Sequence, residues 1–422
     1  MRDLAKVVTV DKEWNLEGKD KVHGVSFADL AYEAMVSKDI TIGDKVIFIQ
    51  EGALLPCTST WEFLRNLKCY NESENAFLIK VKKFKDIKSW GLCLKPSECG
   101  LDEKTIGKLN SGDDVTDLLN IRKYEPKEEA SPKKENKSKF VKFLYSHKYT
   151  RWIMNIYNKH KKSDFIEFPS FLISKSDETT IQNSPSLLER YKDDYIYITT
   201  KLEGMSATYC FYDNKCKKFL VCSRNNAYIK NNGSDYWKIA EQYDLKNKIY
   251  DYYKKTGKLL IIQGEIIGEG IQKNIYHVNG LKFYVYTMKD EITNMQLPFA
   301  ETIKICNELQ LLYVPVINIH DKIGQMKMIE IFPTIKKCEE LAEKQYFKLY
   351  FDDVENEWKC NYNYIPKENE NLWKDYAQNE GVVVRTMNYD KDKNIGCSFK
   401  IKNIDYAEKG INFIGSIKWK NS

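Results

Sequence analysis

Lys201-Leu202-Glu203-Gly204 directly follows the strand-like run Tyr195 to Thr200. A lysine at a strand end becomes a nucleophile once its ammonium loses a proton, which desolvation or a cationic neighbour promotes. Glu203 places a carboxylate two residues on, and Gly204 allows the backbone to come close to a phosphate. Taken alone the tetrapeptide is weak, and a surface lysine in a turn is the simpler reading.

Its company points to chemistry. Ser223-Arg224-Asn225 follows a second apolar run, Phe219 to Cys222. Gly264-Glu265 is expected to end a third strand, and Glu380 to open a fourth that runs to Arg385. Ser398 to Lys402 reads as a fifth, with Lys400 and Lys402 on one face because strand side chains alternate. A nucleophilic lysine, two isolated carboxylates and a same-face lysine pair fit nucleotidyl transfer. Glu265 and Glu380 would hold Mg²⁺ (or Mn²⁺), and the lysines would neutralise an α-phosphate as charge develops on it. Tyr286, at the end of the run Lys282 to Tyr286, offers a ring on which a base would stack, a contact of about 1–3 kcal/mol.

The elements that must position these residues are mostly strands. Val7 to Val10, Lys45 to Ile49 after the turn signal Gly43-Asp44, and the alternating Phe77 to Lys82 suggest a small β-barrel of the OB kind, with a short helix expected over Ser26 to Met35 and Ser26 as its N-cap. From Lys123 to Lys139 the chain is Pro-containing, densely charged and without apolar periodicity, the pattern of a flexible linker. Phe140 to Lys162 has the pattern of a basic amphipathic helix. From about Asp164 onward strands alternate with helices expected over Ala300 to Gln310 and Ile335 to Gln345, an α+β arrangement on antiparallel sheets. Tyr350 to Lys374, rich in Asn, Glu and Tyr, reads as an insertion or loop.

Composition narrows the function classes only mildly. The 422 residues carry 66 Lys+Arg against 60 Asp+Glu, a net charge of +6 that permits a nucleic-acid partner without demanding one. No apolar run approaches the ~20 residues of a membrane span, and the first six residues lack the apolar core of a secretory signal. The 11 cysteines include no CxxC pair, and Cys210, Cys216 and Cys222 match no common zinc spacing, so reduced thiols in an intracellular protein, cytoplasmic or nuclear, are expected.

The ordered set resembles the covalent nucleotidyltransferase superfamily of ATP-dependent ligases and mRNA capping enzymes. Lys201–Gly204 looks like motif I, Ser223–Asn225 like motif Ia, Gly264-Glu265 like motif IIIa, Phe283–Tyr286 like motif III, Glu380–Arg385 like motif IV and Phe399–Lys402 like motif V. A narrower likeness is to the RNA ligases typified by the Deinococcus enzyme. Its carriers are Gly91–Leu94, Gly112–Leu119 and Lys123–Pro126 near the N-terminus, then Phe168-Pro169, Asp177-Glu178, Ile181–Asn183 and Gly268–Gln272. Three positions depart from the pattern: Glu203 and Thr287 stand where Asp is usual, and Thr180 stands where Arg is.

The resemblance implies an antiparallel-sheet nucleotidyltransferase (ATP-grasp-like ligase) domain over 164–422 preceded by an OB-like domain over 1–122; the charged linker over 123–139 and the basic helix over 140–163, read from the chain's own pattern, fall between them and outside the resemblance. It implies a monomeric, ATP-dependent and Mg²⁺-dependent RNA ligase acting on nicked or broken RNA with 3′-OH and 5′-phosphate ends, with no membrane partner. Lys201, Glu203, Lys400 and Lys402 would be catalytic. Thr200, Gly204, Arg224, Glu265, Tyr286 and Glu380 would bind the nucleotide together with Lys400 and Lys402, and Glu380 and Glu265 would bind the metal. A capping guanylyltransferase or DNA ligase shares the chemistry, although only about twenty residues follow Lys402. A ligase fold that binds RNA without catalysis is the third reading.

Overall fold

The computed structural model describes residues 3–16, 18–84, 87–124, 165–170, 173–175, 178–211, 218–319, 322–355, 357–364 and 376–409. The expected linker beyond Tyr124 and the expected basic helix lie outside the described residues.

The chain is a mixed α/β structure made mostly of sheets. Near the N-terminus a seven-stranded sheet runs in the order Gly91–Leu94, Lys45–Gln50, Ala5–Asn15, Val22–Phe27, Glu33–Ser37, Ile87–Ser89, Lys82–Phe84. It curls until Gly91–Leu94 contacts Glu33–Ser37, which leaves it nearly closed and barrel-like. The helix expected over Ser26 to Met35 is absent. Ser26 lies in Val22–Phe27 opposite Lys12, and the chain returns as Glu33–Ser37. The side chains decide this: Ala34 and Val36 are buried while Ser37 is exposed, a period of two that suits a strand on an apolar core. Phe77 to Lys82 keeps its alternation, with Phe77, Ile79 and Val81 buried, but it is split between two sheets: Ala76–Leu78 is laddered in a separate four-stranded sheet, and Lys82 opens the strand Lys82–Phe84 of the seven-stranded one. The residues expected to begin the linker are partly structured, since Arg122–Lys123 pairs with Leu54 and Ala53.

Two further sheets carry the residues singled out above. One is five-stranded, with Tyr195–Thr200 antiparallel to Gly381–Thr386, which is antiparallel to Ser398–Lys402. Its inner face, with Ile196, Ile198, Val382, Val384, Phe399 and Ile401, packs on Cys338 and Ala342 of the helix Ile335–Glu343. Each such apolar side chain contributes about 1.5–3 kcal/mol on burial, which fixes the register because a one-residue slip would turn the whole set to solvent. The second is eight-stranded, with Met205–Phe211, Leu260–Gly268 and Leu281–Asp290 at its centre. The stretch read as a loop before Gly381 is instead a hairpin, Tyr346–Asp352 with Glu357–Tyr364, joined by Tyr376–Gln378; residues 365–375 lie outside the described set.

Candidate active site

Pairing in the five-stranded sheet delivers the reactive residues to one another. Thr200 stands opposite Val382, so the next residue, Lys201, donates its backbone N–H to Gly381 O at 2.9 Å and lies beside Glu380. Its Nζ pairs with the Glu380 carboxylate. Across the next ladder Val383 faces Lys400, and both line a cavity of about 670 Å³ that takes its walls from both sheets. The alternation that buries Phe399 and Ile401 is what turns Lys400 outward to the cavity.

The eight-stranded sheet supplies the opposite wall. Glu265 lines the cavity from within Leu260–Gly268 rather than from a strand exit as expected, because that strand continues to Gly268 after a bulge between Gln263 and Gly264. Arg224 enters from the turn after Phe219–Cys222. Tyr286 lines the cavity from Leu281–Asp290, its hydroxyl 2.8 Å from Ser206 Oγ. Gly204 is required by close packing: a Cβ there would stand 2.3 Å from Ile266 O. Its own carbonyl accepts from Gln272 Nε2 at 2.8 Å. Thr200 shares its hydroxyl with the side chain of Asn363 on the hairpin, whose Nδ2 donates to Val316 O at 2.8 Å.

The electrostatics describe a resting site. Burial disfavours the Lys201 ammonium, but Glu380, with Glu265 and Glu203 behind it, more than offsets that and holds its pKa above the ordinary lysine value. Burial pushes Glu265 up to about 8, with Glu380 adding to the rise and Lys201 opposing it. Burial also raises Glu203, against a bond from Tyr406 Oη at 2.5 Å. Lys201 is therefore charged until the carboxylates opposite it are compensated.

Lys402 is placed differently from Lys400. It borders a second, much smaller cleft and pairs with Glu51 of the N-terminal barrel. Thr180, where the resemblance leads one to expect Arg, pairs in register with Lys400 and is buried.

The sequence reading assigned no role to three side chains that line the cavity. Tyr406 reaches Glu203 from the helix Ile404–Lys409, beyond the last motif. Arg385 and Glu178 form a buried ion pair at 2.9 Å, their side chains 4% and 11% exposed. Arg385 also donates to Tyr286 O at 3.0 Å and Ser398 Oγ at 3.2 Å, and so fixes the strand that carries the ring. Replacing Arg385 with methionine strands Glu178 in the interior. We expect a loss of about 3–5 kcal/mol in unfolding free energy, measured by urea denaturation.

Residues 194–402 match the RNA ligase family model. That ligase-like segment spans every cavity-lining residue named above except Glu178 and Tyr406. The fold is similar to that of Naegleria gruberi RNA ligase. One solved structure of that enzyme, a point mutant with ATP and Mn, is 20% identical, with 97% of this chain and 98% of that chain covered and a TM-score of 0.67. Another mutant, with AMP and Mn, is 19% identical, with 97% and 99% covered and a TM-score of 0.66. No curated protein sequence matches the chain. Among the described residues no helix is long and apolar enough to cross a membrane, and the ten described cysteines are free.

Proposed function

We propose that this protein is an ATP-dependent RNA ligase that joins RNA 3′-OH and 5′-phosphate ends, at nicks in duplexes, in the manner of the Deinococcus-type ligases. The observation that carries the reading is Lys201 at a strand exit inside a cavity, paired with Glu380 and faced by Lys400, Arg224 and Glu265, within the segment similar to RNA ligases. The ATP and Mn in the Naegleria enzyme support ATP as co-substrate and a divalent metal here.

The donor set fits such a metal. Among the described residues no three His, Cys, Asp or Glu side chains are grouped to cage an ion. Glu380 and Glu265 offer hard carboxylate oxygens only, the arrangement of an ion that keeps waters and takes its remaining ligands from substrate phosphates. A bound Mg²⁺ or Mn²⁺ would polarise the α-phosphate and offset the carboxylate charge that keeps Lys201 protonated.

The chain's residues then divide the work. Deprotonated Lys201 Nζ attacks the α-phosphorus, a P–N bond forms, the bond to the bridging oxygen breaks and pyrophosphate leaves. Lys400 and Arg224 neutralise the oxygens on which charge grows. Tyr286 stacks on adenine, and Glu203, held by Tyr406, orients the lysine or the ribose. In the second step an RNA 5′-phosphate oxygen attacks the same phosphorus and Lys201 leaves as the amine. In the third, the 3′-OH attacks the adenylated 5′-phosphate, AMP departs and the strand closes. The N-terminal barrel, as an OB-like module over 1–122, would hold the duplex beside the domain over 164–422.

A nicked duplex with a labelled 5′-phosphate tests the reading. Sealed, phosphatase-resistant product should appear with ATP when the 3′-OH strand is RNA, and ribose-for-deoxyribose swaps on each side define the preference. Binding without sealing, or a requirement for GTP, would overturn it.

A further inference from the structure

Lys402 shares a strand face with Lys400 and lies only about 6.6 Å further along the backbone. Yet its ammonium is turned to Glu51, with 20% and 28% of the two side chains exposed. The contact is part of a docked seam. Asn183 Nδ2 donates to Gln50 Oε1 at 3.1 Å, and the Ala31 N–H donates to Gln182 O at 2.9 Å. Ile404, two residues beyond Lys402, is buried among Val8, Phe48 and Trp90 of the barrel.

The cavity's charges explain why this matters. Four basic side chains, Lys201, Arg224, Arg385 and Lys400, line it against four carboxyl groups, Glu178, Glu203, Glu265 and Glu380, with burial pushing the pKa of Glu265 up to about 8. A triphosphate brings several negative charges into such a space and gains from every additional cation at low dielectric. Lys402 is a fifth cation two residues further along the same strand face, at the neighbouring small cleft, and Glu51 pairs with it there.

We propose that Glu51 is a positioning residue of the nucleotide site: it holds the Lys402 ammonium on the N-terminal barrel, and release of that pair supplies the phosphate end of the cavity with a fifth cation. The inference rests on the nucleotidyl-transfer reading above. The barrel thereby sets how strongly the catalytic cavity grips its nucleotide.

The test is the Kd of the full-length protein for ATP with Mg²⁺, read beside lysine labelling from α-labelled ATP. Glu51→Gln should tighten binding three- to tenfold, Glu51→Asp, which keeps the charge, should stay near the unsubstituted protein, and in a Lys402→Gln background Glu51→Gln should have no effect. A merely structural role, in which the pair only docks the barrel, would leave ATP binding unchanged or weakened in Glu51→Gln rather than tightened. An unchanged or weakened Kd in Glu51→Gln, or the same shift in the Lys402→Gln background, overturns the inference. ATP binding without any lysine labelling overturns the ligase reading alone, since the Kd comparison still stands; absence of ATP binding overturns both.

Discussion

Replacing Lys201 with alanine should cut ATP-dependent sealing of a 5′-phosphate nick by at least about 10³-fold, while a nick whose 5′-phosphate is already adenylated is still sealed. The asymmetry follows from the site. Lys201 is the one lysine at the exit of Tyr195–Thr200, with its backbone tied to Gly381 and its ammonium to Glu380. Its task is to accept AMP and hand it on. When the adenylate is supplied, closure depends on Lys400, Arg224 and the carboxylates, which the substitution leaves in place. Equal loss on both substrates would instead mean that the alanine disrupts the site, because Lys201 also neutralises Glu380 and Glu265. Gel analysis of the two nicks side by side separates these outcomes.

Glu380→Ala should impair both substrates, by about 10²–10³-fold. Two effects compete. Removing this carboxylate relieves the main electrostatic hold on the Lys201 ammonium, lowers the lysine's pKa and by itself favours the nucleophile. It also removes one of the two carboxylates available to a divalent ion, and the transition-state stabilisation lost with a metal is several kcal/mol, with each 1.4 kcal/mol worth about tenfold. The second effect exceeds the first. Single-turnover rates at several Mg²⁺ concentrations check this: the loss should be partly recovered at high Mg²⁺. Faster lysine adenylation in Glu380→Ala would show that Glu380 only restrains Lys201.

Much of this site was legible in the sequence because strands write their geometry in a period of two. The alternation in Ser398–Lys402 predicted that Lys400 and Lys402 share a face, and the antiparallel ladder set Lys400 opposite Val383 on the cavity side. The same signal was misread where turn and cap residues compete with it. Ser26 looked like an N-cap, but the apolar core under Ala34 and Val36 selects a strand. Glu265 was expected at a strand end; the chain absorbs Gly264 as a bulge, where a Cβ would meet Tyr284 O at 2.4 Å, and runs on.

What was not legible is long-range pairing. Arg385 and Glu178 are 207 residues apart, Tyr406 and Glu203 are 203 apart, and Lys402 and Glu51 are 351 apart. No local pattern joins such partners. They meet because the five-stranded sheet places Thr179–Thr180 parallel to Ser398–Lys402, and because the helix after that strand packs on the N-terminal barrel. Lys402 shows the consequence: its face was foreseen, but its partner in the turn after Lys45–Gln50 was not.

Lys201 should be the residue that carries AMP. The full-length protein should be incubated with Mg²⁺ and either α-labelled or γ-labelled ATP, denatured, and digested for peptide mapping. Label should remain from α-labelled ATP only, on the peptide containing Lys201, and be released as AMP by acid. No retained label, label from the γ-phosphate, or label on another residue would contradict it.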